Sequence, residues 1–313
     1  MPHNTFQSVH TKRISFILTT KNHESFLRKS LTDARALVKK PHDELIVIDG
    51  GSTDGTMRII EEFRDLIDVF VSEPDLGIAH AINKGVLLAR GEYIQHISDD
   101  DTFYPEAMER VVKIFEANTE VEFLVCGHAR RYWHSPDKIH YRYLPPGVNY
   151  GSRPEDAFQY KASGAGFIMR RRVFAKVGLI PMGLACDAAF VAQCIARGGV
   201  TRFCRIILGE HNILPHSATP EKLKEASDNY YRAMRQYCSY SFYIRFKLKR
   251  FFRRQWWGGA GLALMRVGMT PVLLYGLLRR EGFEGVRRNM SNFFKGSKIE
   301  NENQRYIWDG GFS

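Results

Sequence analysis

Short apolar runs alternate with stretches of helical spacing along the first ~130 residues, the pattern of βαβ units and a mainly parallel sheet. Ile14–Leu18 reads as a first strand ending at Thr19-Thr20. Residues 25–38 carry apolar positions at Phe26, Leu27, Leu31, Ala34 and Val38, spaced for one face of a helix. A second buried strand, Leu45–Ile48, is closed by Asp49-Gly50-Gly51-Ser52. A helix from Thr56 to about Arg64, a strand Val69–Val71, a helix Ile78–Ala89 and a strand Tyr93–Ile97 follow. Pro105 opens a helix to about Ala117, at a position where its missing N–H costs nothing, and Phe123–Val125 reads as a further strand.

From Tyr132 to Gly166 the pattern weakens, and Pro145-Pro146-Gly147 marks a loop. Helical spacing returns over 171–177, 187–196 and 221–236, and Thr201–Leu208 reads as a late strand. The pattern divides the chain into a tail (1–12), an α/β domain (13–225) and a helical C-terminal region (226–313).

Composition changes this picture mainly at the C-terminal end. The net charge is +11, yet between Arg245 and Lys295 there are 12 Lys or Arg against two acids, so the rest is almost neutral. Aromatics interleave with those cations, Trp256-Trp257 follow, and a mostly apolar run, 258–278, contains Arg266. Cations and interfacial aromatics beside an apolar stretch suit a helix lying on an anionic membrane surface. A packed appendage or homodimer element is the alternative, and a true span would have to bury Arg266. The same charge could attract nucleic acid, but it flanks an apolar run and no RNP, KH, zinc or basic-zipper pattern appears, so no nucleic-acid partner is expected. Five scattered cysteines without a CxxC pair predict reduced, mostly buried thiols in a cytoplasmic setting. The polar N-terminal stretch lacks the apolar core of a secretory signal.

In open α/β sheets, ligands sit beyond the carboxyl ends of the strands. Thr19-Thr20-Lys21-Asn22, Asp49 and Ser98-Asp99-Asp100-Asp101 all fall at such ends. Three successive carboxylates repel one another unless a cation or solvent reaches them, and Mg²⁺ or Mn²⁺ with a substrate diphosphate would supply that cation. An acidic turn capping the helix at Pro105 is the plainer alternative.

The neighbouring segments carry a resemblance. The stretch Val47-Ile48-Asp49-Gly50-Gly51-Ser52-Thr53-Asp54-Gly55-Thr56 resembles the signature of family 2 glycosyltransferases. Ser72-Glu73-Pro74-Asp75-Leu76-Gly77-Ile78, continuing through Asn83-Lys84-Gly85 and Arg90-Gly91-Glu92-Tyr93 to Asp100-Asp101, is similar to the branch that builds bacterial surface polysaccharides. The likeness spans roughly residues 13–220 and implies a GT-A fold: a nucleotide-binding αβα sandwich with a mixed, mainly parallel sheet. It implies an inverting transferase that takes a sugar from a nucleotide-sugar donor to a saccharide or polyprenyl-linked acceptor, at the inner face of the cell membrane.

Carried over by motif, the resemblance makes Thr20, Asn22, Asp49, Asn83, Lys84, Ser98 and Asp99 donor contacts. Asp100 becomes the metal ligand, supported by Asp101, while Asp54 suits helix capping. Ser98 stands where the family usually has its first DxD acid, and Ala79-His80 where the branch commonly has Tyr-Asp. Asp187 matches the family's acidic position and becomes the catalytic base, although an aspartate at a helix start also serves as an N-cap. His216 matches a late histidine that reaches the metal or diphosphate, with His211 as its competitor and a plain loop histidine as the alternative for either. Gly164 and Gly166 would allow close approach of an acceptor. A catalytically silent nucleotide-binding member is the other reading.

Overall fold

A computed structural model describes residues 12–132, 135–144, 151–184, 186–213 and 220–257; side chains are described throughout except at 135, 136, 220, 221 and 249–257. In chain order the elements are β1 (Ile14–Thr20), α1 (Glu24–Leu37), β2 (Glu44–Asp49), α2 (Thr56–Glu62), β3 (Val69–Ser72), α3 (Ile78–Leu88), β4 (Tyr93–Ser98), β5 (Thr102–Phe103), α4 (Pro105–Ala117), β6 (Phe123–Tyr132), β7 (Ser135–Arg142), α5 (Pro154–Gln159), β8 (Phe167–Arg170), α6 (Val173–Val177), α7 (Cys186–Ala196), β9 (Thr201–Ile213), α8 (Pro220–Tyr237) and α9 (Tyr240–Trp257). A single 3₁₀ turn, Gly164–Gly166, precedes β8.

The strands form one sheet in the order β3-β2-β1-β4-β8-β6-β9-β5, with β7 paired to β6. β3, β2, β1 and β4 run parallel. β8 runs antiparallel to β4 and β6, while β9 runs parallel to β6. Alternation along each strand sends side chains to two helical layers. On one face Phe16, Leu18, Val47 and Leu124 join Leu27 and Leu31 of α1 and Val111 and Phe115 of α4 in a continuous buried core. On the other, Gly85 of α3 lies so close to Ile17 that an added Cβ would sit 2.3 Å from its Cγ2. Further along that face, Phe123 stacks edge-on against Phe167 and packs against Phe190 of α7. This is the αβα sandwich with a mixed sheet that the resemblance implied.

The fold differs from the sequence pattern in its middle. β8 contributes a central antiparallel strand whose last residue is charged. Arg170 is buried because its guanidinium donates to the carbonyls of Val121 and Phe115 (3.0 and 2.7 Å), bonds Glu92, and lies over the rings of Tyr93 and Phe115. Phe115 lies in the last turn of α4, so a cation there also meets the negative end of that helix.

Two compact units divide the chain: the first runs through Tyr237, and the second begins at Cys238 and contains α9. Cys126, Cys186, Cys194 and Cys204 are free and buried, and Cys238 is free and half-buried. Among the described residues no helix is long and apolar enough to cross a membrane. The apolar run 258–278 and His216 lie outside the described residues.

Candidate active site

Register places four strand ends side by side. Thr20 pairs with Asp49, Asp49 with Ser72, and Thr19 with Ser98, so the residues leaving β1 to β4 share one edge of the sheet. The chain then turns sharply after β4, and Ser98, Asp99, Asp100 and Asp101 crowd together at that edge.

Each carboxylate of the triplet meets a different environment. Asp99 accepts from Thr20 Oγ1 at 2.6 Å and pairs with His23 Nδ1 at 2.8 Å, while its carbonyl accepts from Ser30 Oγ at 2.6 Å. That hydrogen bond raises the His23 pKa, and the field of Asp99 adds to it against the cost of burial. Asp101 is almost fully buried, with Oδ1 3.0 Å from His211 Nδ1 and 3.2 Å from the Asn212 N–H of β9. Burial opposes a charge on His211, but the bond to Asp101 and the fields of Asp101 and Asp100 outweigh it and raise its pKa.

Asp100 is the exception. Its carbonyl accepts from Asn212 Nδ2 at 2.5 Å, but its half-buried carboxylate has no hydrogen-bond donor among the described residues. Burial, then the charges of Asp101 and Asp99, push its pKa up to about 7. A carboxylate that lacks donors and is crowded by like charge suits a cation, and a divalent ion needs only one or two carboxylates when phosphate oxygens complete its shell. Among the described residues no group of three or more His, Cys, Asp or Glu side chains is arranged to hold a metal without such help.

Asp187 approaches this centre from α7. Its Oδ2 accepts from the Gly164 N–H at 2.9 Å, and its Oδ1 lies 3.7 Å from Cys186 Sγ. Burial raises its pKa; the Gly164 N–H and the charge of His211 oppose that rise, and Asp101 adds to it. The carboxylate therefore belongs electrostatically to the Asp101–His211 pair, and its recorded backbone partner is the 3₁₀ turn rather than its own helix.

The remaining predicted residues shape the edge. Asp49 is fully buried, and its carboxylate collects the N–H of Gly51 (3.2 Å), the N–H and hydroxyl of Ser52 (3.0 and 2.5 Å) and the hydroxyl of Ser72 (2.6 Å). It organises the β2–α2 turn and ties it to β3. Asn22, in the left-handed region at φ 51°, accepts from the Thr53 N–H at 2.7 Å, and its own N–H donates to Ser52 Oγ at 2.8 Å. Asp54 accepts from the N–H groups of Thr56 and Glu24, at the starts of two helices. Asn83 is buried, donating to the Ile180 carbonyl (2.9 Å) and accepting from its N–H (3.0 Å). Lys84 pairs with Glu73 at 2.8 Å and reaches the Pro74 carbonyl at 3.3 Å. The Ser98 carbonyl lies 3.4 Å from the Asp101 N–H.

The triplet is thus joined to Thr20, with Asp187 close by, whereas Asn83 and Lys84 brace the loops around α3. Sequence reasoning did not single out His23; its only signal was its place just beyond the first strand end. Gly166 has a packing reason for its size, since a Cβ there would sit 2.2 Å from the Cys126 carbonyl. Gly164 leaves its N–H free for Asp187.

The family model described as "Glycosyl transferase family 2" matches residues 15–178. An uncharacterized glycosyltransferase of Rickettsia typhi is 30% identical over 123 residues, 39% of this chain and 38% of its own length. The poly-beta-1,6-N-acetyl-D-glucosamine synthase of Staphylococcus epidermidis is 32% identical over 110 residues, 34% of this chain and 26% of its own. The aligned part is thus well under half of each of these relatives. Among solved structures, S. aureus TarS 1-349 in complex with UDP-GlcNAc superposes with a TM-score of 0.53 at 16% identity, covering 72% of this chain and 65% of that one. The mannosyltransferase PcManGT from Pyrobaculum calidifontis, in complex with GDP-Man and Mn²⁺, gives 0.50 at 14%, covering 84% and 88%. At these identities the likeness is one of fold.

Proposed function

This chain belongs to glycosyl transferase family 2, and from that premise we propose that it moves a sugar from a nucleotide-sugar donor to an acceptor hydroxyl with inversion at the anomeric carbon. One observation carries the reading: two carboxylates in unlike surroundings, Asp100 and Asp187, flank the Asp101–His211 pair. The Asp100 carboxylate has no hydrogen-bond donor among the described residues and suits a divalent cation, whereas Asp187 is held by one backbone N–H beside a glycine turn and suits a proton.

In this reading the donor diphosphate lies against the strand edge formed by Thr20, Ser98 and the triplet. Asp100 would hold Mg²⁺ or Mn²⁺, and Asp101, paired with His211 of β9, would support it. When bound, that ion offsets the negative charge that grows on the leaving diphosphate. His23 keeps Asp99 occupied and turned toward Thr20. Asp49 supports the site by shaping its turn, and Lys84 through Glu73. Asp187 accepts the proton of the acceptor hydroxyl as the bond to the sugar forms, and the Gly164 N–H fixes the carboxylate during that transfer. Its burial keeps its basicity above that of an exposed carboxylate.

The acceptor in this reading is a saccharide, carried on a polyprenyl lipid, in polysaccharide synthesis. The basic C-terminal segment would hold the enzyme on the anionic inner face of the cell membrane, alone or as a homodimer. The test is sugar transfer and donor hydrolysis across UDP-, GDP- and dTDP-sugars with Mn²⁺, alongside Asp100→Ala and Asp187→Asn. If both variants turned over donor like the wild type, a scaffolding or nucleotide-binding role would replace this one.

A further inference from the structure

Beyond the acidic centre, one face of the β6–β7 pair gathers arginine and histidine side chains. His128 lies opposite Arg142, and Arg130 opposite His140, across the antiparallel ladder. In the parallel ladder with β9, Arg130 is level with His211, and the rings of His128 and His211 meet edge-on at 6.4 Å. Side chains two apart on a strand, and in register on its neighbours, share a face. Arg130, His128 and Arg142 therefore continue the surface that begins at the Asp101–His211 pair.

Among the described residues this charge has no carboxylate partner. Arg130 Nε donates to His128 Nε2 at 3.2 Å, and Arg142 donates to the Tyr160 carbonyl. Neither forms an ion pair among the described residues. Burial, then Arg130, pushes the Arg142 pKa down to about 10, and burial followed by the two arginines pushes His128 down to about 3. Cations half-withdrawn from water are costly without a carboxylate, phosphate or other anion to meet them. Arginine, with its fork of donors, is well suited to either anion.

We propose that Arg130 and Arg142 form an anion subsite that takes an acidic group, phosphate or carboxylate, carried by the acceptor. In the sheet order β6 and β7 lie beyond β8 from the strand edge at β1 to β4, where the transferase reading puts the nucleotide. Naming the occupant as acceptor rests on the glycosyl-transfer reading above; the anion subsite itself stands on the two arginines.

The test titrates the full chain, in Mn²⁺ and saturating nucleoside diphosphate, with methyl phosphate and separately with methyl glucuronoside. Binding is read by calorimetry, and nucleotide binding and donor hydrolysis are measured in parallel. At least one probe should bind. Arg130→Gln should weaken it by about tenfold or more, the scale of a charge-assisted hydrogen bond, and Arg130→Lys should recover part of the loss. Nucleotide binding and donor hydrolysis should stay unchanged. Arg142→Gln should behave alike; if losing the Tyr160 contact unfolds it, the Arg130 pair decides. A phosphate-only response assigns a phosphorylated acceptor, and a glucuronoside-only response an acidic sugar. Absence of binding by either probe, equal binding in Arg130→Gln, or weakened nucleotide binding in that variant would overturn the subsite. Arginine-dependent anion binding without nucleotide binding would instead overturn the transferase reading and leave the subsite in place.

Discussion

Asn83 separates two readings of one residue. By motif it faces the donor; in the fold its amide forms a reciprocal pair with the backbone of Ile180, at 2.9 and 3.0 Å, and only 7% of the residue is exposed. Asn83→Ala would leave the Ile180 N–H and carbonyl without partners in a place water scarcely reaches. Each orphaned group costs about 1–3 kcal/mol, and partial relaxation brings the sum to roughly 2–4 kcal/mol. The neighbouring loop retains the two bonds from Gln193 to the Val177 and Leu179 carbonyls, so the damage stays local. For a unit of this size the expected fall in Tm is about 5–10 °C. Urea unfolding of the full chain, followed by tryptophan fluorescence and circular dichroism, measures the loss, and donor KM is measured below the transition. Asn83→Ala should show a large stability loss with donor KM changed less than about threefold, well under 1 kcal/mol. An unchanged Tm with a tenfold weaker donor would refute it and return Asn83 to the donor site.

Asp187→Asn should lower transfer by about 10²–10⁴-fold. Because burial raises the carboxyl's folded pKa, wild-type stability falls as pH rises from the ordinary carboxylate range through the raised value; above that window Asp187→Asn should melt higher than wild type, and coincident Tm–pH curves would contradict this. Wild-type activity should rise with pH across the same window, as a general base requires. Mn²⁺ with a nucleoside diphosphate should raise Tm beyond the sum of their separate shifts; chelation should reverse the gain and Asp100→Ala should abolish it, so an equal gain in that variant would count against Asp100 as the ligand. Gly166→Ala forces a Cβ to within 2.2 Å of the Cys126 carbonyl, so β6 and β8 must separate. A loss of about 1–3 kcal/mol should appear in urea melts, and wild-type stability would show that the turn yields freely.

The parallel half was legible because β1, β2 and most of β4 are buried on both faces and read as apolar runs closed by turn residues. β1, β2 and β4 each extend one or two residues beyond their apolar runs, through Thr20, Asp49 and Ser98, where polar side chains leave the core for the edge. The middle was not legible. β7 is polar, contains Pro136 and, among the described residues, pairs only with β6, as suits an edge strand. β8 is four residues long and ends in Arg170, whose charge hides the strand until the carbonyls that receive it are known. Within the site, the acidic triplet was visible and its partition was not: the positions of His23 and His211 beside Asp99 and Asp101 depend on register between distant segments. Asp49 shows the reverse case. Its motif marks it plainly, yet its carboxylate is taken up by neighbouring hydrogens, so the pattern points to the turn it builds.

The partners of Asp101 arrive late in synthesis: His211 and the Asn212 N–H lie 110 and 111 residues further along the chain. As a growing chain lengthens from its N-terminus, the parallel strands can assemble while the triplet still lacks that compensation. Insertion of β9 beside β6 then delivers a histidine, a backbone donor and the Asn212 amide in one step. The completion of the site is thereby tied to the completion of the sheet. An incomplete or misregistered chain would leave the triplet crowded and without the hydrogen-bond donors that β9 brings.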